Sequence, residues 1–426
     1  MLGNIFYNII IYDSLLNNQQ SVYQKEWYNL RLLFKNKLLW IGLGIIILAT
    51  SIITFAFMGS SVNPTPKKLP IAVVIEDKGI KLPSGEEVNF GEMLLREINK
   101  KEIKSIEWKT FEEKEEAITA MNNKELYVTI VLPEKLSQYT FSLLTDSPTK
   151  PETNIIINEG MNQVGVNLAN QIAKEVLANF NQQIQLQFYT QIEEMKVPLT
   201  INLAKLISDP ITIKTEKVNT VPVNNANGNT PAIFTQILWL GTFISAMLLF
   251  TIARKLNNGS MTMGLITGQI LSGILYTILV SSIAVLLAVN ILDVDTSNGT
   301  SLFFAMFTIG FCFFLLQSAL LNLIGYIASP ILILLFLFAM PILTMAPEML
   351  PNITKDYLYS WVPFRFSLEE LRDILFFNKD IFENGMGVIG GIGVISLVMM
   401  GLSALKSTKR IDKRVENNRE LDTSNN

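Results

Sequence analysis

Six charge-free apolar runs alternate with polar stretches along this chain: Leu38–Met58, Ile233–Ala253, Gly264–Leu292, Leu302–Ile324, Ile327–Ala346 and Gly385–Leu405. A helix rises 1.5 Å per residue, so roughly 20 residues cross about 30 Å of hydrocarbon. A surface helix of a soluble protein carries charge along its solvated face. Here charge falls only between the runs. The pattern predicts a polytopic α-helical membrane protein with six transmembrane helices.

Loop charge orients the spans. Lys25, Arg31, Lys35 and Lys37 precede the first, Arg254 and Lys255 follow the second, and Lys406, Lys409, Arg410, Lys413, Arg414 and Arg419 follow the last. The loop between the third and fourth carries Asp293 and Asp295 instead. By the positive-inside rule both termini are cytoplasmic and the chain is a multi-pass protein of the cell membrane. The expected organisation is a cytoplasmic segment 1–37, a first helix 38–58, an extracytoplasmic domain 59–231, a five-helix region 232–405 and a basic tail 406–426. Residues 1–24 are apolar and Asn/Gln-rich, with no small-residue cleavage site before the first span, which argues against a cleaved leader.

The domain between the first two spans holds 18 Lys and Arg against 22 Asp and Glu, evenly interspersed as on a solvated surface. Two short β-favouring apolar runs, Ile71–Gly79 and Leu126–Pro133, read as buried strands lying side by side. Helices are expected over Gly91–Lys101 and over "TFEEKEEAITAMNNKE", the latter with Phe111 and Ala117–Met121 on its apolar side. An α+β fold follows. Met161–Val197 predicts a long helix whose apolar positions recur every four residues, Val164, Leu168, Ile172, Val176, Phe180, Ile184, Phe188 and Ile192, with Ala169, Ala173 and Leu177 widening the stripe. Four overshoots the 3.6 period, so the stripe must wind around the helix. Such a helix serves either as a core or hairpin partner within the domain, or as an outward stalk or dimer contact.

Composition narrows the chemistry. Of 426 residues 49% are hydrophobic and 17% charged, against about 25% charged in an average soluble domain. The net charge of −3 offers no basic face for nucleic acid. Histidine is absent, removing the commonest general base and imidazole metal ligand. The single cysteine, Cys312, lies in an apolar run and reads as filler. No GxxxxGK[ST] loop occurs, so ATP is not held in a phosphate cradle. A membrane enzyme is disfavoured, and no cofactor or metal is expected. The spans carry no Asp, Glu, Lys or Arg, the groups that ion-coupled carriers keep near the midplane. That points to energy supplied from outside the bilayer and to an amphipathic or lipid-linked cargo.

The order of pieces resembles type-2 ATP-binding-cassette (ABC) permeases, and within them the Pip (phage infection protein) branch. The similar stretches are "PIAVVIEDKG", "ELYVTIVLPEKLS" (Glu125–Ser137), "NEGMNQ" (Asn158–Gln163), "ILWLGTFISAMLL" (Ile237–Leu249) and "PEMLPNITKDYLYSWVPFRFSLEELRDILF" (Pro347–Phe376). The resemblance implies a separate ABC ATPase subunit acting in trans and a homodimer or a heterodimer with a similar permease. Glu26–Lys37 is a short amphipathic run suited to the membrane interface. The resemblance makes it, through Trp27, Leu30 and Arg31, and the loop Arg254–Met261, through Arg254 and Lys255, the contacts for the motor. Simple interfacial anchors and topogenic charges are the plainer reading of both.

Polar groups inside the spans, Thr235, Gln236, Gln269, Gln317 and Asn322, are candidates for the transport route or for hydrogen-bonded glue between helices. An outer gate is expected over 347–378, where the resemblance implies re-entrant helices; the plainer alternative is an interfacial helix. Pro341, Pro347 and Pro351 would break the fifth span and its exit, and Pro363 and Arg372 belong to the same segment. Ser367 with Glu370 reads as a capping box starting a helix that ends near Phe377. Five glycines, Gly385, Gly387, Gly390, Gly391 and Gly393, predict close helix contact at the last span. The competing function is a non-transporting envelope protein, a phage-attachment surface or a secretion-apparatus scaffold.

Overall fold

The computed structural model describes residues 37, 41, 47, 66–81, 85, 87–100, 105–195, 198–257, 260–296, 298–381 and 385–424. Residues 1–59 are one of the two units into which the chain divides. The first expected span and the expected interfacial helix with Trp27, Leu30 and Arg31 therefore lie outside the described residues, apart from Lys37, Ile41 and Ile47.

Residues 60–426 form the second unit. It begins with a five-stranded sheet in the order β4-β1-β5-β6-β7, built from β1 (Leu69–Ile75), β4 (Ile106–Phe111), β5 (Val128–Leu132), β6 (Glu152–Asn158) and β7 (Thr212–Val218). A small hairpin of β2 (Ile80–Lys81) and β3 (Glu87–Val88) stands apart from it. The two expected strands are neighbours, paired in parallel with Ile71 opposite Val128 and Ile75 opposite Leu132. β4 pairs parallel to β1, β6 antiparallel to β5 and β7 parallel to β6.

Both faces of the sheet are covered. Ala72, Val74, Val131 and Ile156 pack against α2 (Lys114–Asn122) through Ala117, Ala120 and Met121. Ile71, Val73, Val128, Ile130 and Ile155 join the core that includes Phe90 and Leu94 of α1 (Phe90–Lys100), Leu136 of α3 (Leu136–Ser142) and the long helix α4 (Gln163–Met195). Each such fully buried aliphatic side chain stabilises the fold by about 1.5–3 kcal/mol. The result is a three-layer sandwich around a mixed sheet, more interleaved than an α+β arrangement. Phe111 ends β4 and does not belong to α2, which starts at Lys114; "KTF" extends a strand opened by Ile106 and Trp108.

The buried stripe of α4 follows the expected one in its second half, while in its first half the residues expected only to widen it take its centre. Phe180, Ile184, Phe188 and Ile192 are buried, but in the first half Val166, Ala169, Ala173 and Leu177 face inward. Val164 is exposed and Leu168, Ile172 and Val176 sit at the margin. Two three-residue steps, Val166 to Ala169 and Leu177 to Phe180, keep the stripe on one side of a 3.6-period helix. α5 (Ile201–Ser208) follows, with the Thr200 hydroxyl accepting from Leu203 N as its cap.

Among the described residues, four helical stretches are long and apolar enough to cross a membrane: Thr230–Leu256, Met263–Asn290, Gly299–Thr344 and Met386–Leu405. These correspond to α6 (Thr230–Leu256), α7 (Met263–Asn290), α8 (Gly299–Ile324) with α9 (Ala328–Thr344), and the first part of α11 (Met386–Ser424). The third stretch is broken at Gly325, whose φ of 72° only glycine adopts cheaply. α8 and α9 then run in opposite directions: Asp295, just before α8, and Thr344, at the end of α9, both meet the sheet-side residues Asn225 and Asn162.

The polarity of α7 is inverted relative to a soluble helix. Gln269, Gly273, Thr277 and Ser281 are buried, whereas Leu271, Leu275, Leu279, Ile283 and Leu286 are exposed. Small and polar residues mediate helix contact where the surroundings are themselves apolar. Gly273 permits the contact with α8: a Cβ there would fall 2.0 Å from the Phe314 ring. Of the five glycines expected to pack α11 closely, Gly393 lies against Cys312 and Gly385 against Phe366, while Gly387, Gly390 and Gly391 meet nothing within 4 Å among the described residues.

Candidate functional site

The segment between α9 and α11 is where the sheet domain meets the helices. It contains a short 3-10 turn (Pro347–Met349), a helical turn running into a π-helical one (Asn352–Tyr359) and α10 (Pro363–Phe376). α10 starts at Pro363 after the Val362 cap, four residues before the expected capping box. Proline at the first helical position loses no hydrogen bond and presets φ. Ser367 is buried inside the helix and its Oγ lies 2.9 Å from Thr235 Oγ1 of α6. Glu370 accepts from Gly385 N at 3.1 Å, holding the start of α11. Both residues tie helices together instead of capping. Pro341 does not end α9 either, because the helix continues to Thr344; the exit comes at Pro347, and Pro351 precedes the Asn352 turn.

α10 is wedged into the helices. The Phe364 ring lies 4.5 Å from Trp239 of α6, 5.8 Å from Phe313 of α8 and 5.8 Å from Phe336 of α9. Its other side meets the sheet domain. The Tyr127 hydroxyl donates to Glu348 Oε2 at 2.8 Å, Lys124 Nζ lies 2.7 Å from Asp373, and Asn162 Nδ2 donates to the Thr344 carbonyl at 3.3 Å. Lys67 adds a backbone bond to the Glu348 carbonyl and a side-chain bond to Asn352. Gly165, in the first turn of α4, lets Tyr127 pass: a Cβ there would stand 2.5 Å from its ring.

These contacts enclose a cavity of about 240 Å³ bordered by Tyr127, Glu348, Tyr359, Arg365, Glu369 and Arg372, with Met161, Ile342, Met345 and Leu368 as apolar wall. Arg365 donates from Nε to Glu369 at 3.0 Å and lies over the Tyr359 ring at 4.2 Å. Glu369 also accepts from the Tyr359 hydroxyl at 3.2 Å. Burial, and then the Glu348 charge, raise the Tyr127 phenol well above its ordinary range. Burial lowers the Arg372 guanidinium, opposed by the charges around it.

The sequence pointed to Pro347, Pro363 and Arg372 here and missed Lys124, Tyr127, Glu348, Tyr359, Arg365 and Glu369. Tyr127 reads locally as a strand residue, and only the crowding of acids, bases and tyrosines in "DYLYSWVPFRFSLEELRD" signals a polar interface.

The intramembrane polar residues are dispersed. Gln269 and Asn322 exchange amide hydrogen bonds of 3.4 and 2.8 Å between α7 and α8. Gln317 donates to the Trp239 carbonyl at 3.0 Å. Thr235 donates to Pro231 O as well as meeting Ser367. Gln236 is half-buried on α6. A separate apolar hollow of about 560 Å³ opens between the sheet-side ends of α6 and α7, lined by Ile233, Ile237, Gly241, Leu279, Ile283 and Leu287 among others.

At the opposite end, Arg254 and Lys255 occupy the last turn of α6, where cations complement the helix dipole. The Arg254 guanidinium lies 5.6 Å from the Phe250 ring and 5.5 Å from the Tyr326 ring, and the Tyr326 hydroxyl is 3.1 Å from Thr251 Oγ1. Arg254 thereby links the end of α6 to the turn between α8 and α9. Lys255 and Leu256 are exposed beside it.

A family model described as ABC-2 family transporter protein matches residues 37–405. No curated protein matches the chain, and no solved structure does.

Proposed function

The chain belongs to the ABC-2 transporter family, and from that premise we propose that it is the membrane-spanning subunit of an exporter driven by a separate ATPase. It is a multi-pass membrane permease. The observation that carries the export reading is the family match over nearly all of the chain, in a sequence with no phosphate-cradling loop of its own. In this reading the chain crosses the bilayer six times, both termini are cytoplasmic, the sheet domain lies outside and the permease works as a dimer. The order of its pieces favours the phage-infection-protein branch.

The Arg254 cluster then faces the cytoplasm, and Arg254, Lys255 and Tyr326 take up motion from the motor, with Trp27, Leu30 and Arg31 as further contacts. α10 and the 347–359 segment act as the outer gate, clasped by the sheet domain through Tyr127 and Lys124. The half-buried Gln236 and the apolar hollow between α6 and α7 suit an amphipathic cargo. The test is cysteine crosslinking in a Cys312→Ala background, with single cysteines at Lys255 and Ser260 and a co-expressed ATPase of the ABC type. Crosslinks that change on nucleotide binding support the reading. Their absence at both positions, with the same ATPase shown to be folded, overturns it.

A further inference from the structure

Arg372 stands out in the seam between sheet and helices. The other charges there are matched: Arg365 by Glu369, Lys124 by Asp373, and Glu348 by the Tyr127 hydroxyl. Glu369 takes a second donor from Tyr359. Arg372 borders the same cavity and its Nε is enclosed with no hydrogen-bond partner among the described residues. A guanidinium carries five N–H donors in a rigid fork suited to two oxygens of one oxyanion. Leaving that N–H dry beside an open hollow is costly, and the cavity of about 240 Å³ has room for far more than one water.

The charges of Glu369 and Asp373 act on Arg372 through space, but neither carboxylate accepts a hydrogen bond from its Nε among the described residues. Tyr127 and Tyr359 flank the position with hydroxyls, and Met161, Ile342, Met345 and Leu368 supply an apolar wall that continues to the end of α9. We propose that this cavity binds a phosphate-type oxyanion, with Arg372 as its principal donor and the apolar wall receiving whatever carbon skeleton the anion bears. The shared chemistry belongs equally to free phosphate and to a phosphomonoester lipid headgroup. The site does not depend on any motor partner.

Two arms separate the sources. The full chain in neutral maltoside detergent is titrated calorimetrically with inorganic phosphate, and by native mass spectrometry with short-chain phosphatidic acid against the matched diacylglycerol. Saturable binding of phosphate identifies the free anion; binding of phosphatidic acid but not diacylglycerol identifies the headgroup. In either case Arg372→Gln weakens binding about tenfold or more, as loss of a charge-assisted pair does, whereas Arg96→Gln, at an exposed arginine of α1, leaves it unchanged. A second measurement needs no variant: either probe should slow phenylglyoxal modification of Arg372 in the wild-type chain, read by peptide mass spectrometry, and leave Arg254 unaffected. Failure of both probes to bind, equal binding by a folded Arg372→Gln chain, or unprotected Arg372 overturns the proposal.

Discussion

The hydroxyl of Tyr127 and the carboxylate of Glu348 meet at 2.8 Å across 221 residues of sequence. This bond joins the entry to β5 in the sheet domain to the first turn beyond α9. Removing the hydroxyl with Tyr127→Phe strands a half-buried carboxylate without its donor, which costs about 1–3 kcal/mol. The expected result is a lower melting temperature in detergent together with faster amide exchange over 347–359. An unchanged exchange rate in that segment would show that the bond does not hold it.

Alkaline pH should act through the same residue. Burial and Glu348 raise the Tyr127 pKa in the folded state above the ordinary tyrosine value of about 10, and burial and Glu369 raise Tyr359 in the same direction. A raised folded pKa gives stability that is complete below the unfolded value and lost as pH climbs past it, since only the unfolded chain then releases the proton. Stability should therefore be flat with respect to these groups below about pH 10 and fall above it, by up to about 1.4 kcal/mol per pH unit for each. Chemical-denaturation midpoints between pH 8 and pH 11 should decline less steeply in Tyr127→Phe than in the wild type, leaving the share due to Tyr359.

Gly165 controls access to this contact. An added Cβ would fall 2.5 Å from Tyr127 Cε1 and 3.1 Å from Ala346 Cβ. The ring is buried and cannot swing away, so Gly165→Ala must shift α4 or dislodge the hydroxyl. Overpacking of this kind costs about 1–3 kcal/mol, more than the benefit of alanine within a helix, about 0.5–1 kcal/mol. Thermal melting of Gly165→Ala against the wild type checks the sign; stabilisation would mean that the helix relaxes freely.

The apolar runs from residue 230 onward were legible because a span of uncharged residues has few other uses: α6, α7, α8 and α9 appear within a few residues of the expected bounds, and α11 starts one residue from its expected start. The two strands richest in β-branched and aliphatic residues, β1 and β5, were legible for the same reason. β4, β6 and β7 were not. β7, "TIKTEKV", is an edge strand with most of its side chains half or fully exposed, so it lacks an apolar signature. The seam cluster is hidden more deeply, because Lys124, Tyr127, Glu348 and Arg372 converge only after the sheet and the helices have both formed. Ser367 and Glu370 show the opposite failure: a local motif for helix entry was present, yet Pro363 started the helix first and tertiary partners claimed both side chains.

Asp77 carries a local structural role that makes a sharper test. Its buried carboxylate accepts from Ser137 N at 2.9 Å and Gly91 N at 3.1 Å and from the Ser137 hydroxyl, so one side chain serves the first turns of both α1 and α3 beyond the ends of β1 and β5. Asp77→Asn keeps the shape but replaces one acceptor oxygen with a donor that faces an N–H. Helix-capping losses run from about 0.5 to 2 kcal/mol each, so the double cap predicts about 1–4 kcal/mol of destabilisation. Ser137→Ala removes the hydroxyl that donates to Asp77 and accepts from Phe90 N at 2.8 Å, but leaves Asp77 its bonds from Ser137 N and Gly91 N, so it should cost less. Circular dichroism melts of the two variants check the order, and an equal effect would place the weight on the hydroxyl instead.

The Gln269–Asn322 pair offers a test within the helices themselves. The two amides are mutual partners, one bond at 2.8 Å and the other at 3.4 Å, and they join α7 to α8. If they serve as glue, Gln269→Leu and Asn322→Leu should each destabilise the protein, and the double variant should cost less than their sum. Interhelical hydrogen bonds in membranes couple by about 0.6 kcal/mol on average and up to about 1.7 kcal/mol, so a coupling of that size is expected from a double-mutant cycle in detergent. Transport measured on the same variants separates the two roles: glue lowers activity in step with stability, whereas contact with cargo lowers it in a folded double variant whose stability is restored. A coupling energy of zero would remove the pair from the packing of these helices.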